Sequence, residues 1–410
     1  VKSEWIALKI LIISDVFGEN ALAQGICCRE IAYELRDRGH QVHILQTKTS
    51  AKEPDNQEIE GFAVHKILGD WHSRLGIAFA RHGRSWRGMV AYVLFRLLAI
   101  RTLLLLPWYP SRSPLLHFRL ARAARRLHKQ IGFDMVFSCY WPLAPLYAGE
   151  SLKKQNVFFV SYYTDCMTNR VKGRLFISKG FKYKKSLKCE QRFFSASDLV
   201  LNLKCFEEHF QSEAYSSLRH KMQITDTPFL KERAQTQQGE QHNLVYTGSI
   251  RPSTLASMLN ILSGVQGICA NFYSPNCIIL PQEDFIIKHG HVDRKRALAA
   301  QDGAGCLISM GDSGSSSIAA KIFEYISTGK KIIHFYTDDF DPNLPYYKKY
   351  KNSLLINLNN DTQANTNEIS EFLKQPTQII PWSELEELFP MNKAAYTANL
   401  ILDAAEKSKN

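Results

Sequence analysis

The run Gly311-Asp312-Ser313-Gly314-Ser315-Ser316-Ser317 consists almost wholly of small and hydroxylated residues. It leads into Ile318-Ala319-Ala320-Lys321-Ile322-Phe323-Glu324-Tyr325, then a Gly329-Lys330 turn and an apolar stretch. Small side chains let backbone amides approach an anion closely, and the start of a helix adds partial positive charge. In such a loop Ser315, Ser316 and Ser317 offer amides and hydroxyls to a diphosphate. Lys321 adds a full positive charge. Glu324, one helical turn on, can accept hydrogen bonds from ribose hydroxyls. The same residues also read as a solvated Ser/Gly loop before a capped surface helix, and loop chemistry alone does not separate the two.

Other chemistries find little footing. Asp339-Phe340-Asp341 has the form of an Asp-x-Asp metal motif but lies in a polar loop with Asp338 and Pro342, so it reads as a turn, and no metal is expected to be required. No Ser, His and Asp arrangement suggests hydrolysis, and no His/Cys cluster has ligand spacing. The nine cysteines include no C-x-x-C pair. An odd number without such pairing fits free thiols in a reducing cytosol better than a disulfide framework.

The elements that must position these residues follow an α/β rhythm. Residues 8–14 read as a buried strand, too short and too interrupted by Lys9 to be a signal peptide. A loop with Gly18 and Gly25 follows, then a helix over 26–38 closed by Gly39 and a strand at 42–45. Strands are expected at 134–138, 157–163 and 199–201, and helices at 143–154 and 187–196. After the aperiodic polar run 231–242, the chain restarts with a strand at 243–248. Strands at 304–309 and 331–335 and a helix over 318–327 follow. At 410 residues with 45% hydrophobic content, this predicts two doubly wound Rossmann-like α/β domains facing a cleft. The expected limits are 1–235, 242–380 and a helical tail 381–410 that crosses back.

The net charge of +12 is concentrated. Residues 71–133 hold twelve Lys or Arg and no Asp or Glu, and without those twelve the two signs balance. A second acid-free run, 166–189, carries eight more basic residues. The first block surrounds Met89 to Leu106, an apolar run of 18 residues. That is near a spanning length, but Arg96 and Arg101 within it would be costly at mid-bilayer. Apolar residues with basic ones and Trp86, Trp108 and Tyr109 compose a membrane-surface segment, and an anionic membrane surface is the expected partner. A solvated basic face on a buried helix is the plainer alternative. Nucleic acid is not expected as a partner.

Taken together, these motifs resemble glycosyltransferase family 4, the bacterial polysaccharide and lipid-linked-glycan type of GT-B enzyme. The likeness rests on Lys321-Ile322-Phe323-Glu324-Tyr325 before the Gly-Lys turn, on Arg38-Gly39-His40 before the second strand, and on Tyr246-Thr247-Gly248-Ser249-Ile250-Arg251. Asp165 after an apolar strand and the run Glu190 to Asp198 also match, so the likeness spans roughly residues 8 to 400. The resemblance implies a nucleotide-sugar donor held by the C-terminal half, with Gly248 and Ser249 at the donor. It implies a glycan or lipid-linked acceptor in the N-terminal half, retention of anomeric configuration and no cofactor. A peripheral enzyme on the cytoplasmic face of the membrane would fit the charge. The family often carries two glutamates with seven residues between them; Glu324 matches the second, and Ser316 stands at the first.

Three more positions follow from that frame. Arg251 can pair with diphosphate oxygens, or be a surface arginine after a turn. Asp165 can orient or deprotonate an acceptor hydroxyl, or cap a helix. Gly18 and Gly25 can bring the first loop to the donor sugar, or simply serve a turn. A nucleotide-sugar epimerase of the same fold and a catalytically silent binding protein are the competing readings.

Overall fold

In a computed structural model, the described residues are 7–14, 16–18, 23–48, 50–69, 75, 85–98, 108–111, 113–168, 178–233, 239–311, 318–319 and 321–408. The chain forms two compact units. One holds residues 1–226 with 394–410, and the other holds 227–393.

The first unit is built on an eight-stranded sheet. Its strands are β1 (Lys9–Ile13), β2 (Gln41–Thr47), β3 (Asn56–Ile59), β4 (Phe62–Ile67), β5 (Met135–Tyr140), β6 (Phe158–Tyr163), β7 (Leu199–Leu203) and β8 (Met222–Thr225). Their order is β3-β4-β2-β1-β5-β6-β7-β8. Only β3 and β4 pair antiparallel; the rest are parallel, and β1 pairs with both β2 and β5. Near-continuous apolar runs suit such strands because helices cover both faces. Ile10 to Ile13, Val136, Phe137, Phe159 and Val160 are accordingly inaccessible. The helices are α1 (Ala23–Asp37), α2 (Trp86–Leu98), α3 (Pro114–Ile131), α4 (Ala144–Lys153), α5 (Lys179–Ala196) and the short α6 (Glu207–Gln211). From β1 the chain steps one way to β2, and from β4 through β7 it steps the other way. Right-handed crossovers therefore put α1 on one face and α3, α4 and α5 together on the other.

The second unit carries six parallel strands: β9 (Asn243–Thr247), β10 (Cys269–Tyr273), β11 (Ile286–Lys288), β12 (Cys306–Met310), β13 (Lys331–Tyr336) and β14 (Ser353–Asn357). Their order is β11-β10-β9-β12-β13-β14. Its helices are α7 (Pro252–Ser263), α8 (Arg294–Asp302), α9 (Ile322–Ile326), α10 (Leu344–Lys349), α11 (Thr362–Lys374) and α12 (Trp382–Leu388). The last helix, α13 (Ala394–Lys407), belongs to the first unit. There Thr397 Oγ1 lies 2.6 Å from Thr225 Oγ1 of β8, and Arg38 donates to Asn399 Oδ1 at 2.6 Å.

Several sequence expectations shift. The polar run 231–242 lies inside the second unit, and the contact division falls at 226/227 instead. At its start Lys231 N–H donates to Ser327 Oγ, and Arg233 binds the side chains of Gln301 and Asp302, so these two residues are anchored; residues 234–238 lie outside the described residues. Gly25 is not in a loop but in the first turn of α1, where it is buried. Helix α5 begins at Lys179, capped by Ser178 Oγ on Phe181 N–H, rather than at Leu187. The helix expected over 318–327 is reduced to the five residues of α9.

Candidate functional site

The second sheet has a switch point. β9 and β12 are neighbours, but the chain leaves β9 toward β10 and leaves β12 toward β13. Their carboxyl ends therefore open a crevice, the place where doubly wound sheets bind ligands. The Gly248 turn follows β9, and Gly311 follows β12.

Gly248 adopts φ 121, a conformation that disfavours any side chain. Its N–H donates to Tyr273 O at 2.9 Å. Asn276 fixes the next residues: its Oδ1 accepts from Ile250 N–H at 3.0 Å and its Nδ2 donates to Ile250 O at 3.1 Å. Ser249 is exposed, and its carbonyl accepts from Tyr246 OH. Arg251, also exposed, takes extended dihedrals at the start of α7.

The Lys321 side chain lies directly on this turn. A Cβ at residue 248 would stand 2.8 Å from Lys321 Nζ and 3.0 Å from Cε, so the space a side chain would occupy is filled by the lysine. Burial lowers the Lys321 pKa, the nearby Glu324 carboxylate works against that shift, and Arg294 adds to it. The result is a cation short of solvent in the crevice. Such a charge gains more from an arriving anion than a solvated one does.

Tyr325 makes the arrangement stiff. Its hydroxyl accepts from Thr247 N–H at 2.9 Å and donates to Thr247 O at 3.2 Å, tying α9 to the end of β9. Gln301 Nε2 donates to Thr247 Oγ1 from α8. Burial pushes the Tyr325 phenol up to about 12, so it stays neutral.

Glu324, which the sequence offers as a ribose ligand, is largely buried and already paired. Its Oε1 pairs with Arg294 Nη1 at 2.7 Å, at the wall of a cavity of about 320 Å³. Phe229, Lys231, Arg233 and Asp302 also line it. Arg294 went unremarked in the sequence because it sits in an ordinary charged helix start, Asp293-Arg294-Lys295-Arg296. Ser315, Ser316 and Ser317 lie outside the described residues.

In the first unit the switch point falls between β1 and β5. Gly18, on the loop after β1, takes φ 108 and is buried. Asp165 follows β6, the next strand, and is 2% exposed. Its Oδ1 accepts from the Cys166 N–H at 2.9 Å, and the next described helix starts at 179, so it does not act as a helix cap. The loop beyond it rests on a buried group that sequence reasoning missed. Glu190 Oε1 accepts from Met167 N–H at 3.0 Å, and its Oε2 accepts from Tyr215 OH at 2.5 Å. His209 Nε2 is 3.0 Å from that same phenol oxygen.

Of the basic segment, Arg74, Arg81, Arg84, Arg101 and Arg112 lie outside the described residues, and its described helices carry stripes. On α3 the buried side is Leu116, His117, Leu120 and Ala124. The exposed side reads Leu115, Phe118, Arg119, Arg122, Arg126 and Lys129. On α5, which shares that face of the sheet, Phe181 and Tyr183 are exposed beside Lys179, Lys184 and Lys188. Helix α2 exposes Trp86, Met89, Val90, Tyr92, Val93 and Leu94. The remainder of the apolar run, residues 99–106, lies outside the described residues. Among the described residues no helix is long and apolar enough to cross a membrane, and no group of His, Cys, Asp and Glu is placed to hold a metal.

No family model matches the chain, and no curated protein matches it. Solved structures do match, over nearly the whole length. Sucrose-phosphate synthase from Thermosynechococcus elongatus is 13% identical, covers 98% of this chain and 97% of its own, and aligns at a TM-score of 0.56. An alpha,alpha-trehalose-phosphate synthase (UDP-forming) from Burkholderia xenovorans, in complex with glucose-6-phosphate, is 8% identical. It covers 97% of this chain and 100% of its own at 0.60. A putative UDP-N-acetylglucosamine 2-epimerase from Listeria monocytogenes is 10% identical, covers 98% and 97%, and aligns at 0.52. At such identities the likeness concerns the fold, and the fold is GT-B.

Proposed function

We propose that this chain is a glycosyltransferase that takes its sugar from a nucleotide-sugar donor held in the second unit. One observation carries the reading: the half-buried Lys321 laid on the Gly248 turn, at the switch point of the second sheet. Glycosyl transfer requires above all that the departing nucleoside diphosphate be stabilised. A cation preset in a partly desolvated crevice does this without reorganising as the bond breaks. Lys321 meets the diphosphate, Arg251 adds a guanidinium, and Gly248 and Ser249 give the phosphates room to approach. Glu324 accepts from the ribose with Arg294 holding it in place. Ser315, Ser316 and Ser317 complete the cradle. Solved GT-B structures whose names speak of UDP-forming transfer and of UDP-sugars support a uridine nucleotide as the first donor to try.

In the first unit, Asp165 orients the acceptor hydroxyl, and Gly18 shapes the loop after β1. The family-4 resemblance supports retention of configuration, and no metal or cofactor enters the reaction. The acceptor is a glycan or a lipid-linked sugar. The exposed basic and aromatic stripes of α3 and α5, on one face of the sheet, support peripheral attachment to an anionic membrane surface from the cytoplasmic side.

The test is a panel of nucleotide sugars incubated with and without lipid-linked acceptors. Release of nucleoside diphosphate that rises with acceptor is the expected result. The epimerase among the structural neighbours favours one second reading, a nucleotide-sugar epimerase. Interconversion of donor sugars with no acceptor dependence would establish that reading in place of transfer.

A further inference from the structure

The acidic turn after β13 looks in sequence like a surface loop, yet Asp341 points inward and is 6% exposed. Its Oδ2 lies 3.2 Å from Nε2 of the inaccessible His334. Its Oδ1 accepts twice from Asn343, from the backbone N–H at 2.8 Å and from side-chain Nδ2 at 2.7 Å. A carboxylate only accepts, so the Asn343 amide must present its NH₂ to Asp341 and its oxygen to the other side. That oxygen accepts from the Ala319 N–H at 3.0 Å. Ala319 O in turn accepts from Ile322 N–H at 3.0 Å, so Lys321 sits inside a turn whose first residue Asn343 holds. The same carboxylate abuts Gly311, where a Cβ would stand 2.1 Å from Oδ2. Asp341 and Asn343 together therefore contact residue 311, just after β12, and residue 319, two positions before Lys321.

We propose that Asn343, oriented by Asp341 and His334, is a positioning residue for Lys321 in donor binding; this rests on the donor-site reading above. Lysine is a point charge on a flexible four-carbon stem. Its value to a diphosphate depends on where the backbone launches that stem, and supporting hydrogen bonds fix such launch points. In this role Asn343 acts through the turn it anchors.

A double-mutant cycle tests this. Affinities for UDP, GDP, ADP and dTDP are measured by calorimetry on the full chain, on Asn343→Ala, on Lys321→Ala and on the double variant, and the tightest nucleotide is followed. Loss of one positioning hydrogen bond should weaken binding by about tenfold in Asn343→Ala. In the Lys321→Ala background the same change should have no further effect, because coupled residues are not additive. An equal loss in both backgrounds, or none in the first, overturns the positioning role and leaves the donor site standing. An unaltered affinity in Lys321→Ala overturns the donor-site reading and the positioning role with it. Should Asn343→Ala fail to fold, Asn343→Ser is carried through the same cycle and read by the same outcomes.

Discussion

The two charged regions of this molecule work in opposite ways. The second unit presses one lysine, Lys321, against a glycine turn and partly strips it of water. The first unit spreads many cations over the solvent face of two helices, where Arg119, Arg122, Arg126 and Lys129 stand exposed. A desolvated charge interacts strongly and at short range, whereas solvated charges contribute little singly and are screened by salt. The difference implies that the donor site fails at single residues, while the basic face fails only collectively.

That contrast can be broken from either side, and the largest effect belongs to the basic face. Changing Arg119, Arg122, Arg125 and Arg126 together to Gln should cost about 4 kcal/mol of binding to anionic vesicles, near 1 kcal/mol for each side chain at the surface. Sedimentation with anionic and neutral vesicles at two salt concentrations reads this. Each single change should be small, and equal binding to neutral vesicles would instead show a purely hydrophobic anchor.

Next is Gly248→Ala. The left-handed backbone costs a non-glycine residue roughly 1–2 kcal/mol, and the new methyl must displace the Lys321 ammonium. Nucleoside diphosphate affinity should fall well beyond the change in thermal midpoint. A fall in stability alone would remove the turn from the donor site.

A third effect is pH dependence. Because burial lowers the Lys321 pKa, a bound diphosphate should raise it again, and binding then takes up a proton. Affinity should decline as pH rises through the lowered pKa of the free protein. Titrations in two buffers of different ionisation enthalpy should show proton uptake in that window, and Lys321→Ala should abolish it.

The smallest effect concerns Asp341. Burial alone would raise its pKa, but the His334 and Asn343 hydrogen bonds and the charge of His334 lower it overall. A depressed carboxylate contributes stability that is present above its unfolded pKa and lost as pH falls through the folded value. Asp341→Asn should therefore flatten the acid limb of the stability curve, measured by urea midpoints from neutral to acid pH. An unchanged limb would mean that Asp341 carries no charge-dependent stability.

Much of the architecture could be read from the chain because parallel strands covered on both faces are written as apolar runs. Ile10 to Ile13, Val136-Phe137 and Ile332-Ile333 announce themselves that way. The β3–β4 hairpin was missed because its strands are short, half-solvated and rich in polar residues around Glu60-Gly61, both at positive φ. Helix α9 was overextended because Ile318 to Ser327 has good helical composition. Propensity could not foresee that Asn343, distant in sequence, takes the Ala319 N–H. In the site, Lys321 was visible as a residue type beside a Ser/Gly loop, but its contact with Gly248 joins two strand ends far apart in the chain. The Glu324–Arg294 pair and the inward Asp341 are likewise tertiary facts, set by partners on other elements.

The most direct test of the donor site is titration of the Lys321→Ala chain with UDP, GDP, ADP and dTDP beside the unaltered chain. Removing a charged hydrogen-bond donor to the diphosphate should weaken the best nucleotide by about 1.5–3 kcal/mol with the fold retained. Equal affinity in the two proteins would contradict the placement of the donor on the Gly248 turn.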